Sequence, residues 1–165
     1  MTEIVTLGLA VPEEAERIAR MSRDFIEQGL HWSWTFSRVQ RHILDRSCSV
    51  VVARSERRLV GFAITRFADE TAHLNLLAVR PEWRQQGCGR RLIDWLIASA
   101  DAAGIRRIDL ELRRGNAGAR AFYERLGFKA GGERAHYYGG VETALTMSRN
   151  LYEPAADRSG EGKAP

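Results

Sequence analysis

Residues 79–90 constrain the fold of this chain more than any other segment, and they read VRPEWRQQGCGR. A strand-like run ends at Val79, Pro81 interrupts it, and an Arg-x-x-Gly-x-Gly pattern leads directly into a helical pattern. Unpaired amides at a helix start form an anion site, and glycines let a phosphate approach the backbone. The segment has neither the Gly-Lys-Ser/Thr of a P-loop nor the Gly-x-Gly-x-x-Gly of a dinucleotide-binding turn. It predicts a strand-loop-helix unit that holds a pyrophosphate, with a plain glycine turn as the alternative.

The apolar pattern around this segment predicts a mixed α/β domain. Strands are predicted over residues 4–9, 49–53, 59–67, 72–79, 107–112, 128–138 and 142–149. Helices are predicted after Pro12, after a cap at Ser37, over residues 88–103, and from a cap at Asn116 to residue 126. Antiparallel strands thus come first, and a β-α-β-α-β order ends the domain.

The length and composition are those of one globular domain, with 165 residues, 44% hydrophobic and 28% charged. Residues 1–152 are predicted to form this single domain. Residues 153–165, EPAADRSGEGKAP, contain no large apolar side chain and are predicted to be a disordered tail. No apolar run reaches ~18 residues and the start of the chain is acidic, unlike a signal peptide, so a cytoplasmic location without a membrane partner is expected.

The charge balance favours a small anionic ligand. Lysine and arginine number 25 against 21 acids, which gives a net charge of +4, and almost all of the positive charge is arginine. Because the arginines are spread along the chain, a nucleic-acid partner is not expected. Cys48 and Cys88 are too few for a disulfide scaffold and lack the spacing of a zinc site, so both are predicted to be reduced thiols and no metal is expected.

A second set of motifs follows the glycine-rich segment in a fixed order. It comprises residues 110–112, LEL, then Asn116, then residues 121–128, AFYERLGF. The two sets together resemble the GCN5-related N-acetyltransferases (GNAT). Residues 75–147 are similar in particular to the bacterial ribosomal-protein-alanine N-acetyltransferases, including a Tyr-Tyr pair and a Glu-x-Ala-Leu-x-Met ending. The resemblance implies a GNAT-type α/β fold, with a mostly antiparallel sheet of about six or seven strands and about four helices. It also implies an enzyme that uses acetyl-CoA, without a metal, to acetylate a primary amine.

The resemblance also implies which residues hold acetyl-CoA. Backbone groups of Leu77, Ala78 and Val79 would meet the acetyl and pantetheine portion, because a strand end can pair with an amide-rich arm. The pyrophosphate would lie against Arg84, Gln85, Gln86, Gly87, Cys88, Gly89 and Arg90. Asn116 would touch the pantetheine arm, although asparagine is a good helix cap without any ligand.

Two residues match the base and the acid of the family. Glu111 alternates with Leu110 and Leu112 and would take a proton from the incoming ammonium, with an ion pair to an arginine as the alternative. Partial burial is expected to raise the pKa of Glu111. Tyr123 would protonate the departing thiolate of CoA, with a core tyrosine as the alternative. The amine would attack the thioester directly, and both cysteines would be bystanders.

Aromatic residues outside these motifs are candidates for the acceptor groove. They are Trp32 and Trp34, beside His31, and the pair Tyr137 and Tyr138, with packing against the sheet as the alternative. The short segment 139–141, and Thr143 where an acid is usual, depart from the ribosomal enzymes. The predicted acceptor is an α-amine such as a protein N-terminus. A small amine or amino-acid-like metabolite, a non-catalytic CoA-binding module and an RNA-binding surface are the alternatives.

Overall fold

A computed structural model describes residues 3–56, 58–138 and 142–152, apart from the side chains of His136 and Tyr138. The strands of this part of the chain are β1 Val5–Leu9, β2 Cys48–Ser55, β3 Arg58–Phe67, β4 Thr71–Val79, β5 Arg107–Arg113, β6 Lys129–Tyr138 and β7 Glu142–Asn150. They form one 7-stranded sheet in the order β1-β2-β3-β4-β5-β7-β6. All neighbouring strands are antiparallel except β4 and β5, which are parallel.

Helices cover both faces of this sheet. Among the described residues they are α1 Ala15–Phe25, α2 Phe36–Leu44, α3 Cys88–Ala102 and α4 Ala117–Arg125. One apolar core lies under α1 and α2 and includes Ile18 and Phe62. A second core lies under α3 and α4 and includes Leu92 and Ile108. α3 makes the crossover that joins the two parallel strands, so the mostly antiparallel α/β fold predicted above is confirmed.

A β-bulge at Asn75 divides β4 into two halves. The register against β3 passes from Leu74 to Leu76 and leaves Asn75 without a partner. Leu74 therefore points into the core under α3, whereas Leu76 points into the core under α1. Pairing with β5 ends at the same place, because Leu74 opposite Leu110 is the last matched pair of the two strands. Beyond Leu74, β4 and β5 separate and leave a gap between their carboxyl ends.

The predicted start of α2 at Ser37 is wrong, and a short turn at Pro12 precedes α1. Ser37 is not the cap of α2, because Thr35 is extended and its carbonyl already accepts the amide of Val39, which starts the helix at Phe36. Pro12 begins a short 3-10 turn, Pro12–Glu14, and α1 follows it.

The predicted tail, residues 153–165, lies outside the described residues, as do residues 139–141. The division into one domain and a tail therefore stays a prediction. No helix in the described part of the chain has both the length and the apolar character to cross a membrane.

Candidate active site

The gap between β4 and β5 is the first element of the candidate site. Leu77, Ala78 and Val79 pair with β3 on one side, and no described strand pairs with them on the other. Their side chains pack into the two cores, so the sides of the gap are formed by backbone. An extended ligand that carries amides can hydrogen-bond to such an open strand end as an additional strand would.

The glycine-rich loop follows directly at the carboxyl end of β4. A 3-10 turn over Pro81–Trp83 leads away from the strand. Arg84 then folds back, and its Nε donates to the carbonyl oxygen of Val79 at 3.0 Å. The start of the loop is thereby fixed to the strand end, while residues 84–87 remain exposed.

The start of α3 offers unpaired amides to a ligand. Gln85 and Gly87 adopt left-handed backbone angles, with φ of 60° and 82°. Gly87 is the N-cap of α3 and provides no side-chain hydrogen bond, so the first amides of the helix stay available. A curved run of amides at the positive end of a helix dipole suits an anion such as a pyrophosphate.

The two glycines of the motif have different surroundings. A side chain at Gly87 would meet no atom within 4 Å, whereas a Cβ at Gly89 would lie 3.1 Å from the Phe122 ring. Gly87 thus faces open space, and Gly89 allows α3 to pack closely against α4. Between them Cys88 is 5% exposed, and burial raises the pKa of its thiol, which makes it a packing residue and a poor nucleophile.

α4 carries two of the predicted residues. The Oδ1 of Asn116 accepts the amide of Ala119 at 3.1 Å, so its role as a helix cap is confirmed. Tyr123 is buried in the core under α3, and its ring makes edge contacts with Phe122 and Phe128 at centroid distances of 5.0 Å and 5.5 Å. A contact of either residue with a ligand stays a prediction.

Glu111 lies on the opposite face of the sheet from Tyr123. Its side chain is 9% exposed, and its Oε2 pairs with Nε2 of His73 on β4. Arg134 of β6 lies 3.9 Å from the other carboxylate oxygen, and the hydroxyl of Tyr137 donates a hydrogen bond to the carboxylate. The carboxylate of Glu111 on β5 and the phenol of Tyr123 on α4 therefore lie on opposite faces of the sheet.

The neighbours of Glu111 reverse the expected direction of its pKa shift. Burial alone would raise the pKa, but the hydrogen bond and charge of His73, together with Arg134 and Tyr137, lower it below its ordinary value. The predicted rise is therefore wrong. Strand alternation indicates that the side chain is partly buried, but it does not show which donors surround it. The carboxylate is ionised at neutral pH and is able to accept a proton.

His73 is a candidate that the sequence reasoning missed. The Nδ2 of Asn75 lies 3.2 Å from Nδ1 of His73, and the Oδ1 of Asn75 is buried without a hydrogen-bond partner among the described residues. In the neutral tautomer whose Nδ1 accepts from Asn75, Nε2 carries the hydrogen and donates it to Glu111. The available signal was two polar residues, at positions 73 and 75, in a strand that is otherwise apolar from residue 72 onward.

The aromatic candidates divide into buried and exposed residues. Trp34 is 7% exposed in the core under α1 and α2, which agrees with the packing alternative. Trp32 packs at the edge of that core and is partly exposed. Tyr137 is 42% exposed beside Glu111, and the side chain of Tyr138 lies outside the described residues. Trp32 and Tyr137 thus remain candidates for contact with an acceptor.

The 7-stranded sheet is mostly antiparallel and opens between its two parallel strands, and a glycine-capped helix starts beside the opening. These features define a GNAT-type acyltransferase fold. Residues 14–128 match the acetyltransferase (GNAT) family, and the chain belongs to that family. The resemblance and the fold predicted from the motifs are thus confirmed.

Two relatives carry names that agree with this assignment. The chain is 38% identical over 94 residues to the ribosomal protein bS18-alanine N-acetyltransferase of Escherichia coli, a match that covers 55% of this chain and 64% of that protein. The match thus spans less than two thirds of the E. coli relative. The chain is also 30% identical over 161 residues to an N-alpha-acetyltransferase of Mycobacterium tuberculosis, with 93% and 98% of the two chains covered.

Solved structures share the fold. The ribosomal-protein-alanine N-acetyltransferase from Escherichia coli superposes with a TM-score of 0.75 at 27% identity and covers 93% of this chain and 98% of its own. Arabidopsis thaliana NAA60 in complex with acetyl-CoA superposes with a TM-score of 0.80 at 14% identity, covering 91% and 100%. The second likeness concerns the fold alone.

Proposed function

We propose that this protein is an N-acetyltransferase that moves the acetyl group of acetyl-CoA to an α-amine. The observation that carries the proposal is the position of Glu111, an ionised carboxylate only 9% exposed, on a strand that borders the gap between β4 and β5. Such a carboxylate can hold an ammonium group and remove its proton. The family and the names of its relatives support transfer of an acetyl group to nitrogen. A non-catalytic CoA-binding module would have no need of this carboxylate.

Acetyl-CoA would bind with its pyrophosphate at the start of α3 and its pantetheine arm in the gap. The amides that follow Gln85 and Gly87, and the exposed guanidinium of Arg90, supply positive charge to the pyrophosphate. The backbone of residues 77–79 would pair with the amides of the arm, and Asn116 would add a contact through its Nδ2. The fold that this chain shares with NAA60, which is known in complex with acetyl-CoA, is consistent with this arrangement.

In the proposed reaction the acceptor ammonium first gives a proton to Glu111. The neutral nitrogen then attacks the carbonyl carbon of the thioester, and strand-end amides of residues 77–79 stabilise the oxyanion. Collapse of the tetrahedral intermediate breaks the carbon–sulfur bond and leaves the electron pair on sulfur, and the nitrogen loses its second proton to solvent to give the neutral amide. Tyr123 would donate its phenolic proton to that thiolate. A covalent acyl-cysteine is disfavoured, because burial raises the pKa of both Cys48 and Cys88.

The choice of an α-amine follows from proton affinities. With ordinary pKa values of ~7.8 for an α-amine and ~10.4 for lysine, roughly a tenth of the first but under about a thousandth of the second is neutral at pH 7. The advantage is a few-hundred-fold, or about 3.5 kcal/mol. The lowered pKa of Glu111 makes it a weak base, which does not offset that difference.

Three acceptors test the proposal, with acetylation followed by mass spectrometry. They are a peptide with a free N-terminus and no lysine, the same peptide with a blocked N-terminus and one internal lysine, and a free amino acid. We expect the first to react at least ~100-fold faster than the second. Faster reaction of the blocked lysine peptide would contradict the α-amine. If acetyl-CoA binds but no acceptor reacts, the non-catalytic alternative is favoured. Activity on the free amino acid alone would indicate that the substrate is a metabolite.

A further inference from the structure

Arg38 of α2 is an arginine held in position by an aromatic ring. Its guanidinium carbon lies 3.8 Å from the ring centre of Trp34, which is itself buried in the core. Arg38 is half-buried, and burial lowers the pKa of its guanidinium. A guanidinium stacked on a fixed ring keeps its N–H groups available for a planar anion at little entropic cost.

Arg38 takes part in no ion pair with another described residue. The carboxylate of Glu27, whose charge acts on Arg38, already has several hydrogen-bond donors. It accepts hydrogen bonds from the hydroxyls of Ser22 and Ser33 and from the amides of Ser33 and Trp34. A half-buried cation without a directly bonded anion is unfavourable, so a ligand that supplies a carboxylate would gain binding energy there.

Tyr137 connects Arg38 to the carboxylate of the candidate site. Its hydroxyl hydrogen-bonds Glu111. Burial and the charge of Glu111 raise the pKa of Tyr137, and the charges of Arg134 and Arg38 oppose that rise. Arg134 already lies 3.9 Å from Glu111 and 5.8 Å from the ring centre of Tyr137, whereas Arg38 has no ion pair with another described residue. Glu111 and Arg38 thus offer a ligand one negative and one positive group whose charges act on the same phenol. They match the two charges of a small zwitterion.

We propose that Arg38 binds a carboxylate of the acceptor, so that the preferred acceptor is an amine with a carboxylate only a few bonds away. The inference rests on the proposed function, because it requires the acceptor ammonium to lie at Glu111. Two kinds of acceptor have this chemistry. One is a peptide whose first residue is aspartate or glutamate, and the other is a free amino acid.

Two matched pairs of acceptors test for the carboxylate at saturating acetyl-CoA. The first pair is two peptides that differ only in an N-terminal aspartate or asparagine, and the second is free alanine and alanine amide. Rates are compared after correction for the neutral fraction of each amine. We expect the carboxylate member of at least one pair to have a kcat/KM at least ~10-fold higher, which corresponds to about 1.4 kcal/mol, mainly through KM. Equal values within both pairs would overturn the inference and leave the α-amine proposal intact.

Variants on α2 separate recognition from a structural effect. Arg38→Gln should raise KM for the preferred acceptor ~10-fold and leave its asparagine or amide counterpart unchanged, because only the ion pair is lost. Arg38→Lys should keep part of the preference, since it retains the charge without the planar fork. Arg41→Gln is the control, because Arg41 is an exposed arginine on the same helix. Equal losses for both members of the pair in Arg38→Gln would indicate a structural role and overturn the assignment.

A binding measurement distinguishes failure of this inference from failure of the proposed function. The N-acetylated aspartyl and asparaginyl peptides are titrated into the protein with CoA present, by calorimetry. If no amine is acetylated but the aspartyl peptide binds more tightly, and Arg38→Gln removes the difference, the carboxylate site stands and the catalytic proposal fails. Equal binding of the two peptides, with equal turnover of the corresponding amines, would overturn the site.

Discussion

Glu111 keeps its charge because its neighbours stabilise the carboxylate more than burial disfavours it. Its pKa lies below the ordinary value, so it stays ionised from neutral pH into the mildly acidic range. A rate that increases with pH around neutrality would then reflect loss of the proton from the acceptor ammonium, not titration of Glu111. His73 acts as a positioning residue in this scheme, since its Nε2 fixes one oxygen of the carboxylate.

Glu111→Gln should lower kcat at pH 7 by ~10²- to 10⁴-fold, because an amide does not accept the proton. Asp109→Asn is the matched control, since Asp109 lies on the same face of β5 and pairs with Arg107 at the surface. It should retain activity. A wild-type kcat in Glu111→Gln would exclude Glu111 as the base.

The lowered pKa of Glu111 also predicts a pH-dependent difference in stability. Because the folded-state pKa lies below the unfolded value of about 4.3, the carboxylate stabilises the fold above about pH 5, and this contribution is lost as pH falls through the folded-state pKa. The Tm of Glu111→Gln should therefore fall below that of the wild type at pH 7 and approach it in acid. A difference that grows toward acid would contradict the direction of the pKa shift.

Tyr123→Phe should lower kcat more than it weakens acetyl-CoA binding, because the lost hydroxyl acts on the leaving sulfur. The ring contacts with Phe122 and Phe128 are retained, so the Tm should change little. Steady-state kinetics and calorimetric titration separate the two effects. The control is Tyr152→Phe, because Tyr152 is 61% exposed to solvent. If Tyr123→Phe binds acetyl-CoA poorly but turns over normally, the tyrosine has a binding role and is not the acid.

The start of α3 can be predicted from the sequence, whereas the bulge in β4 cannot. Pro81 fixes its own φ, and Gly87 permits the left-handed φ of 82° at the helix start, so the loop-helix unit can be recognised from the residues themselves. Residues 76–79 are all apolar, and the sheet has an apolar core on both faces, so a one-residue change of register leaves no trace in the pattern. The gap, which depends on that bulge, is visible only in the structure.

A pair of glycine variants tests the anion site at the start of α3. Gly87 and Gly104 both have positive φ, 82° and 75°, and a side chain at either would meet no atom within 4 Å. Gly87→Trp and Gly104→Trp therefore introduce similar backbone strain, but only the first places an indole over the exposed amides of α3. We expect Gly87→Trp to lose at least ~10-fold in acetyl-CoA affinity by calorimetry and Gly104→Trp to bind normally. Equal affinity in the two variants would contradict a pyrophosphate site at this loop.

Local patterns predicted the order of elements but not the contacts of the candidate site. Helical and strand periodicities involve neighbours in sequence, and they identified the α/β order of the elements, whereas the mostly antiparallel sheet was implied by the family resemblance. The side chains around Glu111 come from β4 and β6, through His73, Arg134 and Tyr137. Which side chains meet across such distances depends on sheet order and register, and these are set by tertiary packing. His73 and Arg38 were missed for this reason.

The gap in the sheet predicts that acetyl-CoA stabilises the whole domain. A ligand that fills the space between β4 and β5 would join the half of the sheet from β1 to β4 to the half formed by β5, β7 and β6, and it would bind only the folded state. At a free concentration of about 100 times Kd, the stabilisation should be about 2.7 kcal/mol, which raises the Tm of a domain of this size by about 5 to 10 °C.

The control ligand for that experiment is free pantetheine, which lacks the pyrophosphate and should produce a much smaller shift because it cannot use the amides of α3. Hydrogen exchange of the same samples should slow with acetyl-CoA at residues 75–79 and in the first turn of α3, where backbone amides would acquire ligand partners, and should be unchanged in β1. Equal shifts with the two ligands, or protection confined to the strands away from the gap, would mean that the ligand binds elsewhere on the molecule.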